Sequence, residues 1–318
     1  MTPAELSRTV LHTVRRAVET DELRVPVPAR VTVRTPPRPG CGDYATNIAL
    51  ELAAAAGRQP RQVAEILRRG LAREPGIARV EIAAPGFLNI TLDGGGHSDL
   101  VRTILAEGTA YGALDESADG PADGPAYGAY EQQAAPAPHN HAPPTPDDDS
   151  LRRLGPDAAR WALLGPPYPD PELLLVQRES NPLFRVQYAY ARTSALLRNA
   201  RDLGLERTPE QDAGTAGHAD PGTTAYDDPG ERVLLGLLAD FPGVARAAAR
   251  HRAPERVARH LETTAEALQR TLAGCPPLPY GDQKPSAVHR ARLALAEATG
   301  TVLANGLHQL GITAPAHL

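Results

Sequence analysis

Residues 77–92 read Ile-Ala-Arg-Val-Glu-Ile-Ala-Ala-Pro-Gly-Phe-Leu-Asn-Ile-Thr-Leu, and the expected fold of the amino-terminal part follows from this stretch. Apolar and polar residues alternate over Ile77–Ala83 and over Phe87–Leu92, and Pro85-Gly86 between them is a strong turn signal. The stretch therefore predicts a β-hairpin. Apolar residues at helical spacing on both sides predict helices that cover one face of it. Residues 1–110 are expected to form an α+β domain with a small antiparallel sheet.

Three segments beside the hairpin are assigned from their local pattern. Alternation over Ala29–Arg34 predicts a further strand, and Tyr44–Ala56 has the apolar spacing of a helix. Gly94–His97 is a glycine-rich run just before a helix predicted at Ser98–Glu107. This run lacks both the Gly-x-Gly-x-x-Gly spacing and a lysine, so we interpret it as a flexible turn rather than an anion-binding loop.

The carboxy-terminal part of the chain is helical in pattern from residue 150 onward. Its longest amphipathic segments are Asn181–Leu203, Pro254–Leu272 and Pro285–Leu310. Several such helices in succession predict that residues 150–318 form an all-α helical bundle.

Two acidic segments account for the net charge of -5 that the 318 residues carry. Residues 111–149 are rich in proline and glycine, contain eight acidic residues and contain no arginine or lysine. This composition cannot offset the entropy lost on ordering and predicts a disordered linker. Residues 206–230 predict a flexible acidic loop. The rest of the chain carries an excess of eight basic residues, which permits binding to nucleic acid.

The sequence does not indicate a catalytic, metal or cofactor site. The only lysine is Lys284, and the His-Asn-His run at 139–141 lies in a proline-rich stretch that does not fix a coordination geometry. Cys41 and Cys275 have neither disulfide nor metal spacing. No apolar stretch approaches the ~20 residues of a membrane span, so a cytoplasmic protein without membrane contact is expected.

Four strings, taken together and in order, resemble the arginyl-tRNA synthetase family. Cys-Gly-Asp-Tyr-Ala-Thr-Asn-Ile-Ala-Leu-Glu-Leu at 41–52 and Pro-Gly-Phe-Leu-Asn-Ile-Thr-Leu at 85–92 are similar to its amino-terminal domain. Asn-Pro-Leu-Phe-Arg-Val-Gln-Tyr-Ala-Tyr-Ala-Arg at 181–192 is similar to the start of its DALR-type anticodon-binding domain, and 292–316 to the end of that domain. The DALR string itself occurs here as Asp-Ala-Ala-Arg at 157–160.

The resemblance implies that the family's catalytic domain is lacking. In the family, a nucleotide-binding domain with His-x-Gly-His and Lys-Met-Ser-Lys-Ser-type signatures separates the two similar regions. Here the interval 111–149 holds 39 residues, whereas each strand–helix unit of such a domain needs about 30. We therefore expect no catalytic residues and a chain that is not itself an enzyme.

The resemblance also implies contacts with tRNA at both ends of the chain. In the family, an aromatic and an asparagine of the Gly-Phe-x-Asn segment read an unstacked base of the tRNA elbow, and here these are Phe87 and Asn89. Without the resemblance, Phe87 could equally be a core residue of its strand. Further elbow candidates are Tyr44 and Asn47, for which packing and helix capping are the alternatives. The anticodon candidates lie on one predicted helix: Arg185, Gln187, Tyr188, Tyr190 and Arg192.

Three functions remain open at this point. The leading expectation is a non-catalytic tRNA-binding paralogue of arginyl-tRNA synthetase, which contacts the elbow and the anticodon arm of an arginine-type tRNA. The second is a protein-interaction module that docks on a synthetase or another biosynthetic enzyme. The third is one part of a split arginine-tRNA ligase, completed by a separate catalytic chain.

Overall fold

The computed structural model describes residues 1–36, 41–114, 152–165, 170–205 and 226–318. The chain divides into two compact units. Residues 1–100 form the first unit, and the described residues from 101 onward belong to the second.

The first unit combines helices with a three-stranded antiparallel sheet, as predicted. Strands β1 (Tyr44–Thr46), β2 (Ile77–Ala83) and β3 (Phe87–Leu92) pair in the order β1-β3-β2, and the predicted hairpin is strands β2 and β3. The elements in chain order are α1 (Pro3–Glu19), β1 (Tyr44–Thr46), α2 (Ile48–Ala56), α3 (Pro60–Leu71), β2 (Ile77–Ala83), β3 (Phe87–Leu92) and α4 (Gly94–Glu107), of which α4 begins in the first unit and ends in the second.

Two predictions about the residues before the hairpin are wrong. In Ala29–Arg34 only Arg34 pairs with a strand, through one bridge to Ala45. The carbonyl of Val31 instead accepts a hydrogen bond from the hydroxyl of Ser7 in α1, so this segment runs against the helix. Tyr44–Thr46 form strand β1 rather than the first turn of a helix, because their backbone pairs with β3.

The glycine-rich run Gly94–His97 is also not a flexible turn, since it forms the first turn of α4. The carboxylate of Asp93 accepts a hydrogen bond from the Gly96 N–H (2.8 Å), which is the typical interaction of a helix cap. A Cβ atom at Gly96 would lie 2.9 Å from the carbonyl oxygen of Gly76. Close backbone approach therefore explains glycine at position 96.

The second unit is the predicted all-α bundle. In it, α8 (Pro229–His251) and α9 (Glu255–Gly274) form an antiparallel hairpin, and α7 (Pro182–Asp202) packs against α9 and α10 (Ala287–Gln309). A Cβ at Gly300 would lie 2.6 Å from the Thr193 hydroxyl oxygen, so α7 and α10 approach closely there. The helices are α5 (Pro156–Ala162), α6 (Pro171–Leu174), α7 (Pro182–Asp202), α8 (Pro229–His251), α9 (Glu255–Gly274) and α10 (Ala287–Gln309).

Both predicted acidic segments contain residues that pack within the second unit. The linker was expected to begin at Tyr111, yet this side chain is only 2% exposed and its hydroxyl donates to the Leu238 carbonyl (2.9 Å). The loop was expected to extend to residue 230. Tyr226 is nevertheless buried, and its hydroxyl donates to the Ala291 carbonyl (3.1 Å). The remaining parts of the two segments, 115–149 and 206–225, lie outside the described residues.

Three rings stack inside the second unit and include a buried histidine. Phe241 lies between Tyr111 and His260, with ring centroids 6.4 and 6.0 Å apart. Burial lowers the pKa of His260 to about 4, although a backbone hydrogen bond at Leu237 acts in the opposite direction. The imidazole is therefore neutral in the folded state at neutral pH.

This histidine predicts a loss of stability in acid. The unfolded chain binds a proton near the ordinary pKa of about 6.5, so His260 contributes stability above that pH and loses it as the pH falls toward 4. We expect the free energy of unfolding to drop by about 2 kcal/mol between pH 7 and pH 5 from this group alone. Urea titrations at both values measure this drop. His260→Phe is expected to show a correspondingly smaller drop, and an equal drop in the variant would contradict the assignment.

Candidate nucleic-acid interface

One candidate surface is the open face of the sheet in the first unit. In β3, Leu88 and Ile90 are buried against the helices, so the alternating Phe87 and Asn89 point to the opposite face. The Phe87 side chain is 39% exposed, and Asn89 is half-buried. Phe87 is therefore not a core residue of its strand. An exposed ring with an amide two residues away can stack on an unpaired base while the amide hydrogen-bonds to the base edge.

A row of side chains crosses this face on either side of Asn89. Asn89 lies directly opposite Ala45 in β1 and Glu81 in β2. Arg34 lies opposite Ala45, with reciprocal backbone hydrogen bonds of 2.8 and 2.6 Å. Directly opposed residues project to the same face, so Arg34 shares the face with Asn89. The small side chain of Ala45 leaves space between them. No local pattern in the sequence indicates that Arg34 lies on this face, because its position depends on the bridge to Ala45.

The two other elbow candidates lie in different surroundings. Tyr44 is opposite Ile90, so its side chain projects into the core, where it is only 2% exposed. A buried ring cannot stack on a base, and Tyr44 is a packing residue. Asn47 is the N-cap residue of α2 and is half-buried, but its side chain makes no capping hydrogen bond. Helix capping therefore does not account for Asn47.

The second candidate surface is the exposed side of α7. The rings of Phe184 and Tyr188 stack with centroids 5.7 Å apart, and Tyr188 is 44% exposed. Their spacing of four residues places both on one side of the helix. The pair is an aromatic platform of the kind on which single-stranded bases stack. Phe184 was not among the predicted residues, although its spacing from Tyr188 is visible in the sequence.

The predicted arginines of α7 contact α9 instead of lying free. Arg185 forms an ion pair with Glu262 (2.7 Å). Burial raises the pKa of Glu262, and the attraction of Arg185 offsets part of that effect. Arg192 follows Tyr188 by four residues and so lies on the same side of the helix, and its guanidinium donates to the side-chain oxygen of Gln269. Both arginines thus join two helices in the described structure.

Gln187 holds the carboxy-terminal tail against α7. Its amide donates to the Thr313 carbonyl (3.1 Å) and approaches the Asp157 carboxylate (3.4 Å). The same carboxylate accepts the Thr313 N–H (3.2 Å). Asp157, the first residue of the Asp-Ala-Ala-Arg string, therefore fixes the tail in place. Tyr190 is half-buried and, two residues after Tyr188, projects about 200° away from it around the helix.

The described residues offer no group of three or more His, Cys, Asp or Glu side chains that could hold a metal ion. The His-Asn-His run at 139–141 lies outside them. In the part of the chain that the structure describes, no helix is long and apolar enough to cross a membrane.

Both ends of the chain match known domains. Residues 5–92 match the family model of the arginyl tRNA synthetase N terminal domain, and residues 186–318 match that of the DALR anticodon binding domain. The arginine–tRNA ligase of Frankia alni is 49% identical over 112 residues, which are 35% of this chain and 20% of that protein. The chain thus spans about a fifth of the length of this curated relative.

A solved structure agrees with these matches at the level of the fold. The arginyl-tRNA synthetase of Thermus thermophilus is 14% identical, with a TM-score of 0.53 and coverage of 100% of both chains. Residues 5–92 therefore carry the arginyl tRNA synthetase N terminal domain, and residues 186–318 carry the DALR anticodon binding domain.

Proposed function

We propose that this chain is a non-catalytic tRNA-binding protein of the cytoplasm, which contacts the elbow and the anticodon arm of an arginine-type tRNA. The observation that carries the proposal is the exposed Phe87 ring beside Asn89 on the open face of the sheet. At 39% exposure, the ring keeps a substantial surface that a base can contact. The Phe184–Tyr188 platform supplies a second stacking surface, in the domain that matches the anticodon-binding model.

The interval between the two matched regions supports the absence of catalysis. It comprises residues 93–185, and its described residues form helices α4 to α6 and the start of α7, without a strand. A doubly wound nucleotide-binding domain requires several strand–helix units of about 30 residues each. Arginine-dependent exchange of pyrophosphate into ATP should therefore be undetectable with the purified chain. Exchange above background would contradict the proposal, because the chain itself would then be catalytic.

The contacts of α7 favour one alternative, a protein-interaction module. Arg185 and Arg192 bind protein groups of α9, which leaves fewer cations for phosphates near the aromatic platform. In that case the purified chain would bind a synthetase or another enzyme, and ribonuclease treatment would leave the complex intact.

Substitution of Phe87 tests the tRNA proposal directly. Base–aromatic stacking contributes about 1–3 kcal/mol per base, so Phe87→Ala is expected to weaken tRNA binding by about 5- to 150-fold. Tyr280→Ala is the control for loss of an exposed ring away from this sheet, because Tyr280 is an 85% exposed aromatic of the other unit. Filter binding with an arginine tRNA transcript measures both dissociation constants. Equal affinity of Phe87→Ala and the wild type would contradict the proposed role of the ring.

A further inference from the structure

We infer that a basic cleft on α3 binds the phosphate backbone of the RNA strand whose base stacks on Phe87. This inference rests on the proposed function and extends it to a second contact. The cleft, here named the α3 cleft, has a volume of about 540 Å³ and opens to solvent. It is lined by Arg58, Gln59, Arg61, Gln62, Glu65, Ile66 and Arg69.

Ion pairs neutralise the carboxylates near the cleft. Asp21, whose charge acts on Arg58, pairs with Arg24 at 2.7 Å. Glu65 accepts two hydrogen bonds from Arg68, at 3.0 and 2.6 Å. Glu22 forms an ion pair with Arg69 at 3.2 Å. Each acid is therefore matched by one arginine, and two further arginines of the cleft give it a net positive charge.

Those two arginines, Arg58 and Arg61, are exposed. Asp21 attracts Arg58 and Glu65 attracts Arg61 only at longer range, while the closest cation of each of these carboxylates is another arginine. Arg58 donates to the backbone carbonyl of Glu22 (2.9 Å), which orients the guanidinium while its charge remains. A guanidinium presents several N–H donors in a planar fork, a geometry that matches phosphate oxygens. The cleft is therefore suited to phosphate groups.

The α3 cleft adjoins the proposed base-stacking residue. A Cβ atom at Gly86 would lie 2.8 Å from the Cβ of Pro60, so the hairpin turn directly contacts the start of α3. Phe87 follows Gly86 in the chain, and Arg61 follows Pro60. Since consecutive Cα atoms are only about 3.8 Å apart, the backbones of Phe87 and Arg61 are close together at this edge of the sheet. We expect one RNA strand that passes around this edge to contact both the ring and the cleft. An exposed ring beside exposed arginines is the combination that single-stranded RNA uses, because its bases stack on aromatic side chains while its phosphates bind cations.

The dependence of binding on salt distinguishes a phosphate contact from a base contact. We compare the full-length wild type with Arg58→Gln/Arg61→Gln, with Phe87→Ala and with the control Arg8→Gln/Arg15→Gln. The control removes the same charge from two exposed arginines of α1, outside the cleft. Filter binding to an arginine tRNA transcript over a range of salt concentrations gives the slope of log K against log [salt] for each protein. Thermal melts monitored by circular dichroism verify that each variant is folded.

Two phosphate contacts predict that the cleft variant loses about 1.4–1.8 in the magnitude of the salt slope, and binds roughly tenfold more weakly near 0.1 M salt. Phe87→Ala is expected to lose affinity with little change of slope. The control is expected to retain the slope of the wild type. Should Arg58→Gln/Arg61→Gln melt early, Arg61→Gln alone is measured and is expected to lose about half as much slope.

The possible outcomes separate the two proposals. An unchanged slope in the cleft variant, with tRNA still bound through Phe87, overturns the cleft and leaves the proposed function in place. An equal loss in the control also overturns it, because net charge would then explain the effect. Binding of polyglutamate to the cleft as tightly as tRNA overturns it in favour of an acidic protein partner. No binding of tRNA by the wild type overturns both.

Discussion

Replacing Tyr111 with alanine is expected to lower the free energy of unfolding of the second unit by about 3–5 kcal/mol, the usual cost of truncating a buried aromatic. The ring is 2% exposed and stacks on Phe241. Asn305 also donates to the backbone carbonyls of Gly108 and Tyr111, both at 2.9 Å, so the backbone is fixed as well as the side chain. Truncation would leave a cavity between firmly held neighbours, which limits relaxation.

Chemical denaturation of the full chain, followed by circular dichroism, measures this loss. Tyr111→Phe keeps the ring and removes only the hydroxyl that donates to Leu238, so it should cost about 1 kcal/mol. Tyr280→Ala, at an 85% exposed position, should stay within about 0.5 kcal/mol of the wild type. If Tyr111→Ala were as stable as Tyr280→Ala, the folded unit would not include Tyr111, and the linker would begin there as the sequence predicts.

Tyr111 shows why composition misplaced the edge of the linker. Proline, glycine and acidic residues dominate 111–149 as a whole, and a single tyrosine at its start does not alter that average. Its burial depends on Phe241 and Asn305, which are 130 and 194 residues further along the chain. Tyr226 repeats this pattern at the end of the second acidic segment. No local property of either acidic segment predicts contacts with partners so far along the chain.

The hairpin was predictable from local sequence, whereas the first strand was not. Strands β2 and β3 were predicted to the residue, because alternation and a Pro-Gly turn are local signals. Strand β1 has three residues and continues directly toward α2, so its apolar spacing was assigned to the helix. Only its pairing with β3, more than forty residues away, makes it a strand. That pairing also places Tyr44 in the core.

Among the candidate site residues, alternation along β3 was enough to place Phe87 and Asn89 on one face. The sequence could not show which anticodon candidates are exposed and which contact other helices, since their partners come from elsewhere in the chain. Arg185 and Arg192 each contact a residue of α9 that lies 77 positions later. Tyr188 remains exposed, because its stacking partner Phe184 lies on the same helix.

Replacing Arg292 with methionine is expected to cost about 3–5 kcal/mol, because it leaves a buried carboxylate without its cation. Glu231, in the first turn of α8, is only 1% exposed, and one of its oxygens lies 2.7 Å from the Arg292 Nε in α10. The ion pair joins the beginnings of these two helices, where Tyr226 also donates to the Ala291 carbonyl. Methionine fills much of the arginine's volume, so the lost charge accounts for most of the cost.

The double variant Glu231→Leu/Arg292→Met separates the burial of an unpaired charge from the loss of packing. Replacing a whole buried ion pair by apolar residues of similar volume is often neutral or even stabilising, by about 1–4 kcal/mol. We therefore expect the double variant to recover most of the stability that Arg292→Met loses. Guanidinium titrations of the wild type, both single variants and the double variant give the coupling energy of the pair. Additive losses would mean that Glu231 and Arg292 stabilise the bundle separately, and that the ion pair does not hold α8 against α10.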